Sequence, residues 1–480
     1  MTDVREAAPG IAAHAATRAE AAAATALERL RAQPRHLVLG ALVAGLLAAP
    51  LALREVLLLA AGAATIAGRR TLALLCAGAV LAGALGAHAR LAALDRTQLA
   101  PLFGATVVAR VVLLEQPRPA RFGRTVLAQL RGLAPVAAPS RAAGAGERVM
   151  LRIGEHVAWP PAPTGALIDV RGRLRALGPF ERYMLLRGAH AAISLDAAAS
   201  TGTRRGGPLG LVDAIRTRAE RALNAGLPAP QAALLRGMTL GQDDALDART
   251  RADFRVSSLA HVLAASGQNV ALLLALALPL LASLGLGLRG RLLGALALIA
   301  LYVPLAGAGP SIQRAGVMGA ASTVAALAGR PASRWYALLL AAAVTLALDP
   351  RADADVGWQL SFAAVVAIAL LAGRLRTALR ARRLPAAVAE AAAVSCAATL
   401  GTAPLIALRF GQLSLVGVPA NLLAAPAIAP ITWLGMLAAT LGQLAPALAA
   451  PLNALNAYLL AYVAWVAHAA ASAPHASLAL

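Results

Sequence analysis

No lysine occurs anywhere in the 480 residues, so all 44 basic side chains are arginine. Without lysine there is no phosphate-binding loop of the GxxxxGK[ST] type and no Schiff-base chemistry. Any uphill transport must then draw on ATP hydrolysis by another chain. Acidic residues number 22, half the basic total, and the formal net charge is +22. Part of that excess orients membrane helices, since basic residues stay on the cytoplasmic side. The rest suits a polyanionic partner or an anionic lipid surface. The only cysteines, Cys76 and Cys396, stand far apart in apolar segments and offer neither a disulfide framework nor a zinc site. The eight histidines show no HxH, HExxH or paired-ligand spacing. No metal and no cofactor is expected, and no enzymatic activity. Aromatic residues are also scarce, at 3%.

What is present is apolar. Hydrophobic residues make up 59% of the chain and mean hydropathy is +0.69, values that fit an integral membrane protein. Residues 1–35 read as a cytoplasmic lead-in with a short helix near Glu20–Arg31, because Arg29, Arg31 and Arg35 flank the first apolar run. Apolar segments near 37–53, 55–68 and 71–88 form an N-terminal membrane region, residues 36–90. The middle one is short and bounded by arginines, so it tilts or dips. If all three cross, everything after Arg90 lies outside.

Residues 101–200 change character. Alternating runs at Ala105–Leu114, Arg124–Arg131, Arg148–Gly154, Leu167–Arg175 and Ala189–Leu195 predict five short strands separated by Pro- and Gly-rich turns. Five strands in about a hundred residues suit a small β-barrel, with an OB-like barrel one candidate. From 209 to 256 the pattern is helical and amphipathic, interfacial or a collar around spanning helices. Eight further candidate spans follow within 257–480, near 259–285, 291–307, 312–329, 335–348, 356–373, 387–408, 415–441 and 447–472. The expected fold is thus a polytopic α-helical membrane protein with an inserted, small OB-like β-barrel domain outside the cytoplasm. Five arginines between Arg374 and Arg383 mark a cytoplasmic loop.

The span that begins near 259 is polar where a plain anchor would be greasy. Wound as one helix, Ser257, Ser258, His261, Gln268 and Asn269 share an arc of roughly 120°, at about 100° per residue. Ser266-Gly267 allows close helix approach, or a break. Two readings fit: a polar seam packed on neighbouring helices, or the wall of a wet path. Other polar positions that suit such a path are Arg314, Asp355, Gln359 and Asn421. Asp355 and Gln359 stand one helical turn apart. Pro419, Pro426 and Pro430 disfavour a straight helix around Asn421. Arg314 follows Gly309-Pro310 at a helix start, among Ala315, Gly316 and Gly319, which would leave room for a strand; the alternative is an interfacial arginine that snorkels. Arg409, the only charged side chain after residue 390, is a path residue or a topology anchor.

Several segments, in order, resemble the integral-membrane ComEC/Rec2 competence family. They are Gln231-Ala-Ala-Leu-Leu-Arg-Gly-Met-Thr-Leu-Gly-Gln-Asp243 with Ala260-His-Val-Leu-Ala-Ala-Ser-Gly267, then Pro310-Ser-Ile-Gln-Arg-Ala-Gly-Val-Met318. Asp355-Val-Gly-Trp-Gln-Leu-Ser-Phe362, Gly401–Pro404, Arg409–Ser414 and Pro419–Pro426 continue the likeness. Phe180–His190 is similar to the end of the family's extracellular OB-like domain. The resemblance implies a channel in the cytoplasmic membrane for single-stranded DNA in natural transformation. It also implies membrane lipids, a separate DNA receptor, a cytoplasmic ATP-driven motor and a separate nuclease as partners. The candidate path residues are then His261, Ser266, Gly267, Gln268, Asn269, Arg314, Asp355, Gln359, Arg409 and Asn421. Two departures stand out. Where the common family pattern reads Ser-Gly-Leu-His, this chain has Ser266-Gly267-Gln268-Asn269. Many members also carry an HxHxDH metallo-β-lactamase-like domain, and this sequence has no such motif, so nuclease activity is not carried over. A transporter of another solute or lipid is the alternative, though no internal repeat supports it. An intramembrane hydrolase using Ser266 and His261 fares worse, since five residues apart on one helix they diverge by about 140°.

Overall fold

The structure, a computed structural model, describes residues 25, 27–120, 123–137 and 143–479. The N-terminal segment expected to be cytoplasmic lies largely outside the described residues. In chain order come helices α1 (Pro34–Leu47), α2 (Leu53–Ala67) and α3 (Arg70–Leu94). Strands β1 (Thr106–Leu113), β2 (Arg118–Pro119), β3 (Arg124–Pro135), β4 (Arg148–Ile153), β5 (Ala166–Ala176) and β6 (Ala189–Arg204) follow. Then come α4 (Gly207–Asn224), α5 (Ala229–Leu240), α6 (Ala248–Val256), α7 (Ala260–Leu263), α8 (Gly267–Ser283), α9 (Leu288–Leu305) and α10 (Pro310–Leu327). The chain ends with α11 (Arg334–Leu348), α12 (Val356–Ala381), α13 (Ala386–Phe410), β7 (Gln412–Ser414), α14 (Gly417–Leu441), α15 (Ala450–Ala471) and β8 (Ser477–Ala479).

Among the described residues, six helical stretches are long and apolar enough to cross a membrane: α3, α9, α12, α13, α14 and the stretch Pro446–Ala471 that includes α15. The protein is therefore a multi-pass membrane protein. Helices α1, α8 and α11 are apolar but shorter. Helix α2 has 15 residues, about 22 Å at 1.5 Å per residue, which is less than the ~30 Å hydrocarbon core. Fewer helices thus qualify as independent spans than the apolar runs implied, because an Ala-rich run scores as apolar whatever its length.

The chain forms two compact units. One holds α1, α2, α3 and α11. Helices α1 and α3 meet backbone to backbone at glycines: a Cβ on Gly45 would fall 2.1 Å from the Val80 carbonyl oxygen, and one on Gly83 2.6 Å from that of Leu42. Arginines close the helix ends. Arg31 donates to the Ile66 and Thr65 carbonyls at 2.8 and 3.3 Å, and Arg90 to the Leu348 carbonyl at 3.0 Å. Helix α11, grouped by sequence with the C-terminal spans, thus packs on the N-terminal helices.

The second unit holds everything else. Its main sheet holds the five expected strands with β2 added, the last of them, β6, running on to Arg204 where Leu195 was expected; β7 and β8 form a separate two-stranded sheet. Inward positions alternate along β1, and Val111, Leu130, Leu151, Ile168, Leu174 and Ile193 form its buried core. Sheet order is β1-β5-β6-β4-β3-β2, and β1 also pairs with β3. All pairings are antiparallel except β4 with β6, which is parallel. Helices α4, α5 and α6 pack as a collar: Leu223, Leu234, Leu235 and Phe254 share one buried cluster with Ile431 of α14 and Leu460 and Val463 of α15. The approach of α14 to α5 needs Gly435, whose Cβ would lie 2.4 Å from Thr239 Oγ1.

Candidate functional site at a junction of helix ends

The polar stretch after residue 257 is not one helix. Helix α7 stops at Leu263, Ala264 and Ser266 are extended, and α8 begins at Gly267. The shared arc expected of His261, Gln268 and Asn269 is therefore broken at the small-residue pair. His261 is exposed, its Nδ1 3.0 Å from the Ser258 carbonyl oxygen. Ser266 Oγ instead donates to Asn269 Oδ1 at 3.2 Å, so no nucleophile–base pair is assembled with His261.

Asn269 is buried and faces the end of α5. Its Nδ2 donates to the Met238 carbonyl at 2.8 Å and to the Tyr302 hydroxyl oxygen at 3.1 Å. The Tyr302 hydroxyl donates onward to the Thr239 carbonyl at 2.6 Å. Met238 and Thr239 lie in the last turn of α5, where carbonyls lack intrahelical partners. Two side chains from α8 and α9 thus cap a third helix. Gln268, the next residue back, is exposed.

Arg314 sits five residues into α10 and is 7% exposed. Its Nη1 donates to the Ser361 carbonyl in α12, and its guanidinium carbon lies 5.9 Å over the Phe362 ring. Phe362 packs in turn on Trp358, the ring centroids 4.2 Å apart and the planes tilted by 32°. Ser311 donates to Ser361 Oγ at 3.0 Å. A Cβ on Gly267 would meet Arg314 Nη2 at 3.2 Å, so glycine there lets α8 start against the guanidinium. Arg314 Nε is buried without a hydrogen-bond partner, and among the described residues no carboxylate pairs with this arginine. It is not a snorkelling interfacial residue. The small residues beside it do not leave open space either: Gly316 packs against Val303, and Gly319 against Val270 and Ile299.

Three helix N-termini meet here, those of α8, α10 and α12. Asp355 caps α12, its Oδ1 accepting from Trp358 N at 2.9 Å, which offsets that terminus. No side chain caps α8 or α10. Each carries roughly half a positive charge in amides that no side chain caps. With Arg314 they make an electropositive, anion-seeking junction. Gln359, half-buried, lies in the first turn of α12 beside this group.

The junction is linked to the β-rich part of the same unit through the end of α5. Gly241, which ends α5 at φ +70°, would place a Cβ 3.0 Å from Ala265 and 3.4 Å from the Ala306 carbonyl. Two residues on, Asp243 pairs with Arg118 of β2 at 3.2 Å. Glu115 accepts from Arg187 at 2.9 and 2.6 Å and lies 3.4 Å from Arg118. Beside them Gln242 donates to Glu220 of α4 at 2.6 Å, and burial pushes the Glu220 carboxyl up despite that bond. Arg216 of α4 closes the end of α9, donating to the Pro304 and Leu305 carbonyls at 2.6 and 3.0 Å. A hollow of about 530 Å³ lined by Val108, Arg110, Arg131 and Asp169 lies apart, on the sheet, and no junction residue lines it.

Ser266, Gly267, Asn269 and Arg314 therefore come together, with Asp355 and Gln359 at the head of the adjoining helix. Arg409 does not join them: it is exposed in the last turn of α13, where a topology anchor would sit. Asn421 is half-buried early in α14, whose helix continues through Pro426 and Pro430. Sequence reading missed Tyr302, Ser361 and Phe362. Tyr302 was findable as the one hydroxylated aromatic in an otherwise greasy helix. The carbonyl of Ser361 carries no such signal.

Comparison with known proteins bears on these same residues. A family model described as "Competence protein" matches residues 238–480. The curated "ComE operon protein 3" of Bacillus subtilis (strain 168) is 27% identical over 203 residues, 42% of this chain and 25% of that protein. The match thus spans a quarter of that relative's length. No solved structure matches the chain. Because the family match covers half of the chain, from the α5 carbonyls capped by Asn269 through Arg314 to the last helix, the chain belongs to the competence protein family.

Proposed function

We propose that this protein is a channel that passes single-stranded DNA across the cytoplasmic membrane during natural transformation. The observation that carries the reading is Arg314: a buried guanidinium with no carboxylate partner, set against two uncapped helix N-termini in a competence-family chain. A buried charge is costly and is usually paired. Here the missing counter-charge would be a passing phosphate. A single weak station suits conduction, since a path must bind well enough to admit and loosely enough to release.

The β-rich part would be an OB-like barrel outside the membrane. Its pairing path β1-β5-β6-β4-β3 returns to β1, and its parallel pair is β4 with β6; both support that reading. Its arginine-bearing edge, seated by Arg118 on Asp243, would hand the strand to the junction. The chain acts as a path and not as an enzyme. Having no lysine and so no nucleotide-binding loop, it takes its drive from a separate cytoplasmic motor, with a separate receptor and nuclease acting upstream. A clean deletion, assayed with labelled DNA in a competent host, tests the reading. Uptake into the cytoplasm should be abolished while surface binding of DNA persists; normal transformation would overturn it.

A further inference from the structure

In a chain with so few aromatic residues, one loop exposes two of them. Between β5 and β6, residues Pro179–Arg187 form a nine-residue 3-10 helix. Phe180 is 93% and Tyr183 53% exposed, while Met184 between them and the sheet is 2% exposed. The loop is held at both ends. Glu181 accepts from the Gly178 amide at 2.8 Å and from Arg175 at 2.6 Å, Arg187 is bonded twice to Glu115, and Gly188 closes the helix at φ +76°. Exposure of these rings is therefore built in.

A 3-10 helix has three residues per turn and rises about 2.0 Å per residue, so side chains three apart eclipse roughly 6 Å from one another. Phe180 and Tyr183 stand in that relation, and no ring contact joins them. Stacked bases are spaced about 3.4 Å, so a gap near twice that value admits one flat ring between two others. Exposed Arg182 lies between them in sequence, and residues 101–200 carry more than twice as many arginines as carboxylates. An aromatic slot on a basic surface fits an unpaired base on a phosphate backbone. Paired bases in a duplex present no free face to it.

We propose that Phe180 and Tyr183 form a stacking slot that grips single-stranded DNA by one base as it reaches the β-rich part. This rests on the translocation reading above and adds how the strand is distinguished from duplex. The Arg187 end of the same loop adjoins the Arg118–Asp243 contact, so a gripped strand is already beside the junction.

The test uses the purified full chain in lipid nanodiscs, with oligo(dT), an abasic strand of equal length and a duplex as probes. The wild type should prefer oligo(dT) to both. Phe180→Ala/Tyr183→Ala should weaken oligo(dT) binding about ten- to a hundredfold, the range of one lost base stack, and leave abasic binding unchanged. Phe180→Trp/Tyr183→Phe should retain the preference. Both rings are outside the core, so the thermal unfolding midpoint should not move. Unchanged oligo(dT) binding by the double alanine variant, or an equal loss on the abasic strand, overturns the slot alone. Unchanged binding with lost quenching by brominated lipids would overturn it too and assign the rings to the membrane surface. A wild type that binds no strand at all removes the translocation reading with it.

Discussion

Asn269 Nδ2 lies 3.1 Å from the Tyr302 hydroxyl oxygen, and together the two side chains close the C-terminus of α5 from two other helices. Neither bond is local, so both depend on α5, α8 and α9 being assembled. Tyr302→Phe leaves the Thr239 carbonyl buried without that donor, a loss of about 1–3 kcal/mol. Asn269→Ala should cost a similar amount, and the double variant less than the sum because the pair shares a bond. Thermal unfolding in detergent measures this. Additive effects would show that the two residues act separately.

Gly45 and Gly83 let α1 and α3 touch along their backbones. A side chain at either position has nowhere to go, since the nearest atoms are main-chain carbonyls. Gly45→Leu and Gly83→Leu should each abolish a folded, membrane-inserted product. Gly40→Leu on the same α1 should not, because a Cβ there meets nothing within 4 Å. Protease resistance of the expressed protein reads the outcome. Equal resistance in all three would deny the close contact.

Arg110 and Asp169 pair across β1 and β5 with bonds of 2.7 and 2.9 Å. The hydrogen bond from Arg110, and its charge, hold the Asp169 carboxyl below its usual range. A depressed carboxylate contributes stability that is present above the unfolded-state value, near 3.9, and is lost as pH falls through the lower folded value. Hydrogen exchange of β1 and β5 should therefore accelerate, beyond the intrinsic pH effect, as pH drops below about 4. Asp169→Asn should remove that limb. Identical acid limbs in the two proteins would contradict the assignment. The pair is exposed, so the effect at neutral pH is small.

Single cysteines at Arg131 in β3 and Arg380 near the end of α12 should label from opposite sides of the membrane, in a background lacking Cys76 and Cys396. Arg131 lies in the part expected outside, and Arg380 in the arginine cluster that continues α12 toward the cytoplasm. Labelling of both by an impermeant reagent would refute the topology.

Much of this was legible in the residues. Period-two alternation placed four of the five main strands within a few positions, because each buries one face on a common core; β6 starts where expected but runs on to Arg204, its second half largely exposed and so without that alternation. The amphipathic run 209–256 read as interfacial helices or a collar rather than spans, and its buried packing on α14 and α15 favours the collar. Other features were hidden for physical reasons. Pro426 and Pro430 signal a break in water, yet α14 continues through them, since neighbouring helices satisfy what prolines free. Ser266-Gly267 is compatible with either close helix approach or a break, and the break is fixed only by packing of Gly267 against Arg314 and Ala315. The polar stripe divided: Asn269 became a strut for α5, while Gln268 and His261 stayed exposed. The contact of α11 with α1 spans nearly 300 residues, and no local pattern encodes it. Arg314 was visible as a lone charge, but its partner is a backbone carbonyl, which every residue possesses.

Arg314→Gln is the most direct measurement. Glutamine keeps a donor for the Ser361 carbonyl and removes the charge, so folding should survive while attraction for phosphate does not. Entry of labelled DNA into the cytoplasm should fall at least tenfold, with the protein at wild-type level in the membrane, and Arg380→Gln should fall far less. Wild-type uptake by Arg314→Gln at normal abundance would contradict a translocating strand passing this junction, and would leave Arg314 as a structural tie between α10 and α12.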